Sequence, residues 1–285
     1  MEVLQESSIE LQNRGVTTLK DEIFLLCYRP DRYYVIKVYN RDNLKEVKDV
    51  IRLPGTDAQH MTGCNVSNCL YISLRQGDSL IHDTLRISRD VDHKFNISPW
   101  IDDRRMMSVT ANGGIIICSK RGGRHRDVVR IYNADGSLQH EMKLSRYVDV
   151  LTYKNIIQKA NGNLVLSYLS IRNNHIGLTL LELNLSGSVV RQFHSSIDHN
   201  EEGFLKVADE NDRIMICTPF DGIELLDSEF NLLGIFSLPR DQLCAYCRLN
   251  DVHYNRSRNE IVSVHLVINI LACTNVLTIS RFAEE

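Results

Sequence analysis

The densest run of reactive side-chain types is "SKRGGRHRD", residues 119–127, where Lys120, Arg121, Arg124, His125 and Arg126 surround two glycines. Guanidinium groups are planar forks of donors that match phosphate oxygens and stack on bases. Glycines let the backbone approach such a ligand closely. More arginines lie in polar segments elsewhere: Arg104 and Arg105 in "WIDDRRMM", Arg29 and Arg32 in "CYRPDR", Arg75 in "LRQGD" and Arg172 in "SIRNN". Trp100, the only tryptophan, sits just before Arg104. It reads as an interface anchor if exposed, or as a plug between structural units if covered. Acids are interleaved (Asp31, Asp78, Asp102, Asp103, Asp127), so the set is either a polyanion-binding face or a solvated, self-cancelling one.

Other reactive residues make weaker patterns. Cys244 and Cys247 form a C-x-x-C with His253 downstream, but a structural zinc needs four ligands and no fourth is apparent. Cys64 and Cys69 flank "NVSN", with His60 upstream, and read as core thiols beside a tight turn. Cys27, Cys118 and Cys217 fall inside apolar runs, as reduced, buried cysteines do. The chain has no H-E-x-x-H, G-x-S-x-G, P-loop or G-x-G-x-x-G pattern, so no catalytic residue, metal site or cofactor is expected.

The elements that must position these residues come from a repeat. Six short apolar runs recur: Ile23–Cys27, Leu70–Leu74, Ile115–Ser119, Leu164–Tyr168, Ile214–Thr218 and Ile261–His265. Each follows a polar segment such as "NVSNC", "TANGG" or "KANGN", where Asn, Asp and Gly supply turn chemistry. Each is followed by alternating runs around a second polar turn, as in "VVRIYNADGSLQHEMKL". Four strands per unit, with a period of about 40–50 residues, is the pattern of a β-propeller blade. The expected architecture is all-β: six four-stranded antiparallel blades over 16–55, 56–103, 104–149, 150–200, 201–249 and 250–282. Seven blades is the alternative, but no seventh buried run is visible. The last unit has only three strands, and an open ring would leave sheet edges unpaired. A strand near 7–13, in "SSIELQN", is therefore expected to complete the last blade.

Two of these segments, "SVTANGGIIICSKRGGRHRDVVRIYNADGSLQHEM" and "FLKVADENDRIMICTPFDGIELLDSEFNLLGIF", resemble NHL repeats. "CNVSNCLYIS" matches the strand–turn–strand half of that pattern, and Arg130-Ile131-Tyr132 its third strand. The repeats are divergent, and the Asp-x-x-Asn-x-Arg often found between second and third strands is missing from most units. The resemblance extends to the C-terminal propellers of TRIM-NHL proteins, which recognise protein or RNA beside RING and B-box modules. Neither zinc pattern occurs in this sequence, so no ligase activity is expected of it.

Composition is that of an ordinary soluble globular protein. Of 285 residues, 43% are hydrophobic and 24% charged, and a net charge of −3 gives no global attraction to nucleic acid. The N-terminal "MEVLQESSIELQ" lacks a basic n-region and apolar core, so a cytoplasmic setting is expected. Residues 261–280 carry no Asp, Glu, Lys or Arg, but His265, Asn269 and Asn275 break the run, and no membrane partner is expected. The function expected first is non-enzymatic recognition of a protein or peptide on the loop-rich face. Single-stranded RNA on the arginine face is the alternative. A metal-dependent hydrolase using inner-strand Asn65, His253, Gln158 and Lys206 comes third, because those residues do not make a convincing ligand set.

Overall fold

The computed structural model describes the chain except residues 1, 10–11, 30–32, 54–56, 76–81, 89–91, 96–104, 120–127, 145–149, 173–174, 196–203, 208–211, 219–221, 237–245, 256–257, 259, 269–272 and 282–285. The described chain forms six four-stranded antiparallel sheets. Blade 1 comprises β2 (Gln12–Leu19), β3 (Glu22–Arg29), β4 (Tyr33–Asn40) and β5 (Glu46–Arg52). Blade 2 comprises β6 (Asp57–Cys64), β7 (Cys69–Arg75), β8 (His82–Ser88) and β9 (Asp92–Phe95). Blade 3 has β10 (Arg105–Val109), β11 (Ile115–Ser119), β12 (Val128–Tyr132) and β13 (Leu138–Lys143). Blade 4 has β14 (Val150–Gln158), β15 (Leu164–Arg172), β16 (His175–Leu183) and β17 (Val189–His194). Blade 5 has β18 (Phe204–Val207), β19 (Ile214–Thr218), β20 (Gly222–Leu226) and β21 (Leu232–Phe236). Blade 6 has β22 (Tyr246–Asn255), β23 (Glu260–Ile268) and β24 (Cys273–Arg281), finished by β1 (Glu2–Ile9). The first strands of the blades touch one another in a closed circuit, β2–β6–β10–β14–β18–β22–β2. The molecule is a six-bladed β-propeller. No helix among the described residues is long and apolar enough to cross a membrane.

All six buried runs read from the sequence lie in second strands: β3, β7, β11, β15, β19 and β23. Second strands are sandwiched by the blades on either side, so both of their faces are buried and mostly apolar. The closing strand is present but lies earlier than 7–13: Glu2 pairs with Arg281 and Ile9 with Asn275. The alternation in "SSIELQN" spans two strands of different blades: Ile9 ends β1, and Gln12 already starts the inner strand of blade 1. Alternation alone cannot mark where one strand stops and the next begins.

Among the described residues the core is divided. Six apolar clusters fill the six wedges between neighbouring blades. One joins Ile116 and Ile131 of blade 3 to Leu164 and Leu166 of blade 4. Another joins Leu25 and Cys27 of blade 1 to Val262 and Leu277 of blade 6, closing the ring. A Leu or Ile cut to Ala in such a wedge costs about 2–5 kcal/mol.

One turn design serves several blades. In "NADGS" Asn133 N–H donates to the Ser137 carbonyl at 2.9 Å, and in "NLSGS" Asn184 N–H donates to the Ser188 carbonyl at 3.1 Å. Both close over a left-handed glycine, Gly136 at φ 88° and Gly187 at φ 83°. Blade 5 keeps the turn, with Asp227 N–H donating to the Asn231 carbonyl, but puts Phe230 in the left-handed position at φ 68°. A bulky residue there is strained and persists only where packing fixes it.

Candidate functional site

Strand direction divides the disc into two faces. One face carries the loops between second and third strands and those leading into each first strand. Arg29, Arg75 and Arg172 end β3, β7 and β15, and Arg105 starts β10, so the fold brings all four backbones to this face. Of these, only the Arg29 side chain is described. Its guanidinium carbon lies 5.7 Å from the centre of the Tyr33 ring, and that of Arg52 lies at the same distance. Two guanidinium groups against one ring form a basic–aromatic cluster at the edge of blade 1. Arg32, Trp100, Arg104, Lys120, Arg121, Arg124, His125 and Arg126 lie outside the described residues, as does Cys244.

The opposite face carries the turns between first and second strands, and here the central channel opens into a cavity of about 310 Å³. Blade 2 contributes His60, Thr62 and Asn65, blade 3 Ser108, blade 4 Asn155 and Gln158, and blade 6 His253. No Asp, Glu, Lys or Arg is among the described lining residues. The His60 Nε2–H donates to the Met107 carbonyl at 3.1 Å, which fixes that tautomer and ties blade 2 to blade 3. Thr17 Oγ1 accepts from the Gly63 N–H at 2.9 Å and lies 3.4 Å from His253 Nδ1, so one hydroxyl links blades 1, 2 and 6. A Cβ on Gly63 would lie 2.7 Å from Thr17 Oγ1 and 2.9 Å from the Thr18 carbonyl, so glycine is what lets the inner strands close up. Asn65 Oδ1 accepts from the Lys20 N–H at 3.2 Å, anchoring the mouth to blade 1.

Asn65, Gln158 and His253, named from the sequence as inner-strand polar residues, do line this cavity; the Lys206 side chain is not described. Ser108 and Asn155 escaped sequence reading, and His60 was read only as a neighbour of Cys64 and Cys69. Their signal was positional: each lies in a first strand within a few residues of its turn. Among the described residues no group of three or more His, Cys, Asp or Glu is placed to hold a metal.

The third surface is the outer rim. Leu138, Val189, Val190, Leu232, Leu233 and Ile235 are exposed on the outermost strands of blades 3, 4 and 5, with Leu185 in the adjoining turn. Cross-links make this rim continuous. His140 Nε2–H donates to the Leu185 carbonyl at 2.8 Å, and Arg191 pairs with Glu229 of the next blade. β21 is the extreme case: "LLGIF" has no charged residue, it is the edge of its sheet, and Leu233 and Ile235 are 52% and 54% exposed. Sheet edges are normally guarded by charge, as "EVKDVIR" guards blade 1.

The fold and these three surfaces define a class, a six-bladed propeller, and comparison with solved structures agrees. A gluconolactonase from Xanthomonas campestris superposes with a TM-score of 0.54 at 12% identity, covering 98% of this chain and 99% of that one. A polysaccharide lyase gives 0.56 at 11%, covering 99% and 100%. The Dos1 propeller gives 0.53 at 9%, covering 94% and 68%. At such identities the likeness is one of fold alone. No family model and no curated protein matches the chain, so the NHL resemblance rests on the sequence motifs quoted above.

Proposed function

We propose that this chain is a recognition module that binds a partner protein, receiving an extended apolar segment along the rim at β21. The observation that carries this reading is the uncharged, exposed edge of β21 beside Val189 and Val190. An edge strand offers a row of backbone donors and acceptors to an incoming strand, and its side chains select alternate residues of that strand. The expected site thus moves from the loop-rich face to the rim. The test is fluorescence anisotropy with a labelled panel of extended peptides alternating Val and Thr, applied to the wild type and to Leu233→Lys/Ile235→Lys. Binding lost in the variant, with an unchanged thermal midpoint, supports the reading. Equal binding to both proteins, or to neither, removes it.

A second reading, single-stranded RNA on the arginine face, is favoured by the Tyr33 ring with Arg29 and Arg52 against it. Aromatic rings and guanidinium planes are stacking platforms for unpaired bases. It predicts oligouridine binding that weakens steeply with salt and is lost on changing Arg121, Arg124 and Arg126 together to Glu. Salt-insensitive binding, or binding unchanged in that triple variant, contradicts it.

A further inference from the structure

Cys64 is the last residue of β6 and Cys69 the first of β7, and the two are direct cross-strand partners around a four-residue turn. Opposite residues of an antiparallel pair have Cα atoms roughly 4.5–5.5 Å apart and side chains on the same face. A disulfide spans Cα separations of roughly 4.4–6.8 Å. The pair can therefore be bridged without moving the backbone.

The surroundings favour a thiolate. The Ser67 N–H donates to Cys64 Sγ at 3.4 Å, and the Arg86 Nε–H donates to Cys69 Sγ at 3.4 Å. Hydrogen bonding from the Cys69 thiol, helped by the Ser67 amide, draws the Cys64 thiol below its ordinary range against the opposing effect of burial. Cys69 is correspondingly pushed up, so the pair holds one proton and one reactive sulfur. Cys64 is only 2% exposed, but it is part of the wall of the channel cavity, which is the side from which a small solute would reach it.

The other described thiols differ. Cys27 faces Asn13 and Val35, Cys118 faces Met106 and Val129, and Cys217 faces Phe204 and Ile223. None has a cysteine opposite, and burial pushes Cys27 up to about 12.

We propose that Cys64 and Cys69 form an oxidisable dithiol in the channel mouth, converted by hydrogen peroxide to a cross-strand disulfide. The Cys64 thiolate attacks one peroxide oxygen; the O–O bond breaks, a sulfenic acid forms, and the departing hydroxide takes the Cys69 proton to become water. Cys69, now a thiolate, attacks the Cys64 sulfur; the S–S bond forms, the S–O bond breaks, and the departing hydroxide becomes a second water with the proton Cys64 gave to solvent when it ionised. Two thiols and one peroxide give one disulfide and two waters. Cys64 is the attacking residue because it lines the cavity, and Cys69, beside Arg86, resolves the intermediate. The new bond staples the turn that carries Asn65 and Val66 at the cavity mouth. Ser67 of the same turn donates its hydroxyl to the Gly113 carbonyl of blade 3 at 2.9 Å, so the staple acts at a contact between blades.

The experiment is thiol mapping of the full chain. The protein is treated with stoichiometric hydrogen peroxide near neutral pH, alkylated in denaturant and digested with trypsin. Both cysteines fall on one peptide, residues 53–75. The expected result is that this peptide escapes alkylation and is lighter by two hydrogens, and that dithiothreitol restores it. Peptides carrying Cys27, Cys118 and Cys217 stay alkylated. Cys69→Ser should leave a Cys64 sulfenic acid that dimedone traps, and Arg86→Gln should slow disulfide formation roughly tenfold. Alkylation of Cys64 and Cys69 to the same extent as Cys118 after peroxide would overturn the proposal, and the wild-type mapping decides this even if no variant folds. The outcome is independent of peptide binding at the rim.

Discussion

Two neighbouring wedges of the ring are built on opposite plans. Between blades 4 and 5 an ion pair is buried: Lys159 Nζ lies 3.1 Å from Glu182 Oε2, with the side chains 4% and 3% exposed. Its remaining valences are filled, since Lys159 also donates to the Ser228 carbonyl at 2.8 Å and Asn163 Nδ2 donates to Glu182 Oε1 at 2.7 Å. Asp212 accepts the Ala160 N–H at 2.9 Å across the same wedge. Phe230, strained in the left-handed region, is buried under Lys159 and Arg191, each 5.8 Å from its ring centre. Between blades 5 and 6, by contrast, Met215, Cys217, Ile223 and Leu225 meet a partner sheet rich in small polar groups. Ile261 belongs to that cluster, so Ser263 and His265, two and four residues on, face the same way. Their cross-strand neighbours are Thr278 and Val276, and Ser280 lies opposite Ile261; Ser263, His265, Thr278 and Ser280 are all buried. The first wedge is thus held by saturated charge and strain that packing enforces. The second sets apolar residues against buried hydroxyls and a titratable ring. Equivalent positions in a repeat need not be held by equivalent forces.

The largest expected effect is at the ionic wedge. Lys159→Ala leaves Glu182 buried without its partner and should cost about 3–5 kcal/mol in urea denaturation. A cost below about 1 kcal/mol would mean the wedge does not depend on its charges. The next effect separates the wedges by pH. Burial holds His265 down to about 4, against an ordinary value of 6.5, and Ser263 Oγ lies 2.7 Å from its Nε2. The unfolded chain therefore takes up this proton before the folded one does. Stability from this group is complete above about 6.5 and is lost as pH falls toward about 4, by about 3 kcal/mol in all. Thermal midpoints measured across that window should fall in the wild type and flatten in His265→Leu; parallel curves would clear His265 of the role. A smaller effect tests the strained turn. Phe230→Gly should be less damaging than Phe230→Ala by about 1–2 kcal/mol, because both lose the buried ring but only glycine relieves the backbone. If alanine were tolerated as well as glycine, φ would not be under strain there. The smallest effect is at Ser280, whose buried hydroxyl has no partner among the described residues. Ser280→Ala should raise stability by about 1 kcal/mol, read as a shift in the urea midpoint at constant slope.

The blade count was legible because each second strand is squeezed between two blades, and Ile115–Ser119 or Ile214–Thr218 must be apolar on both faces to survive there. The closing strand was legible in kind, since three strands in the last unit left an edge to cover, but its register was not. "EVLQESSI" is exposed or half-covered along much of its length, and burial is what pins register in a sequence. The channel cavity was half legible. Asn65, Gln158 and His253 announced themselves as polar residues in inner strands, but nothing local distinguishes His60 or Asn155 from surface residues. They meet only because four blades, far apart in the chain, converge on one axis. The rim was legible as the string "NLLGIF" and was passed over, because an outermost strand and a core strand look alike when neither alternates. The arginine set was read from its place between expected strands, and among the described residues the backbones of Arg29, Arg75, Arg105 and Arg172 do reach one face of the disc.

Residue 2 is zipped to residue 281, so the first and last strands, the two tails of the ring, share one sheet. Whatever detaches the leading eight-residue strand unzips the sixth blade and bares β24, turning a ring without a weak end into a strip that has one. Bringing those tails together is the longest-range step in assembly, so the ring should seal last and slowly, after its wedges have begun to fill.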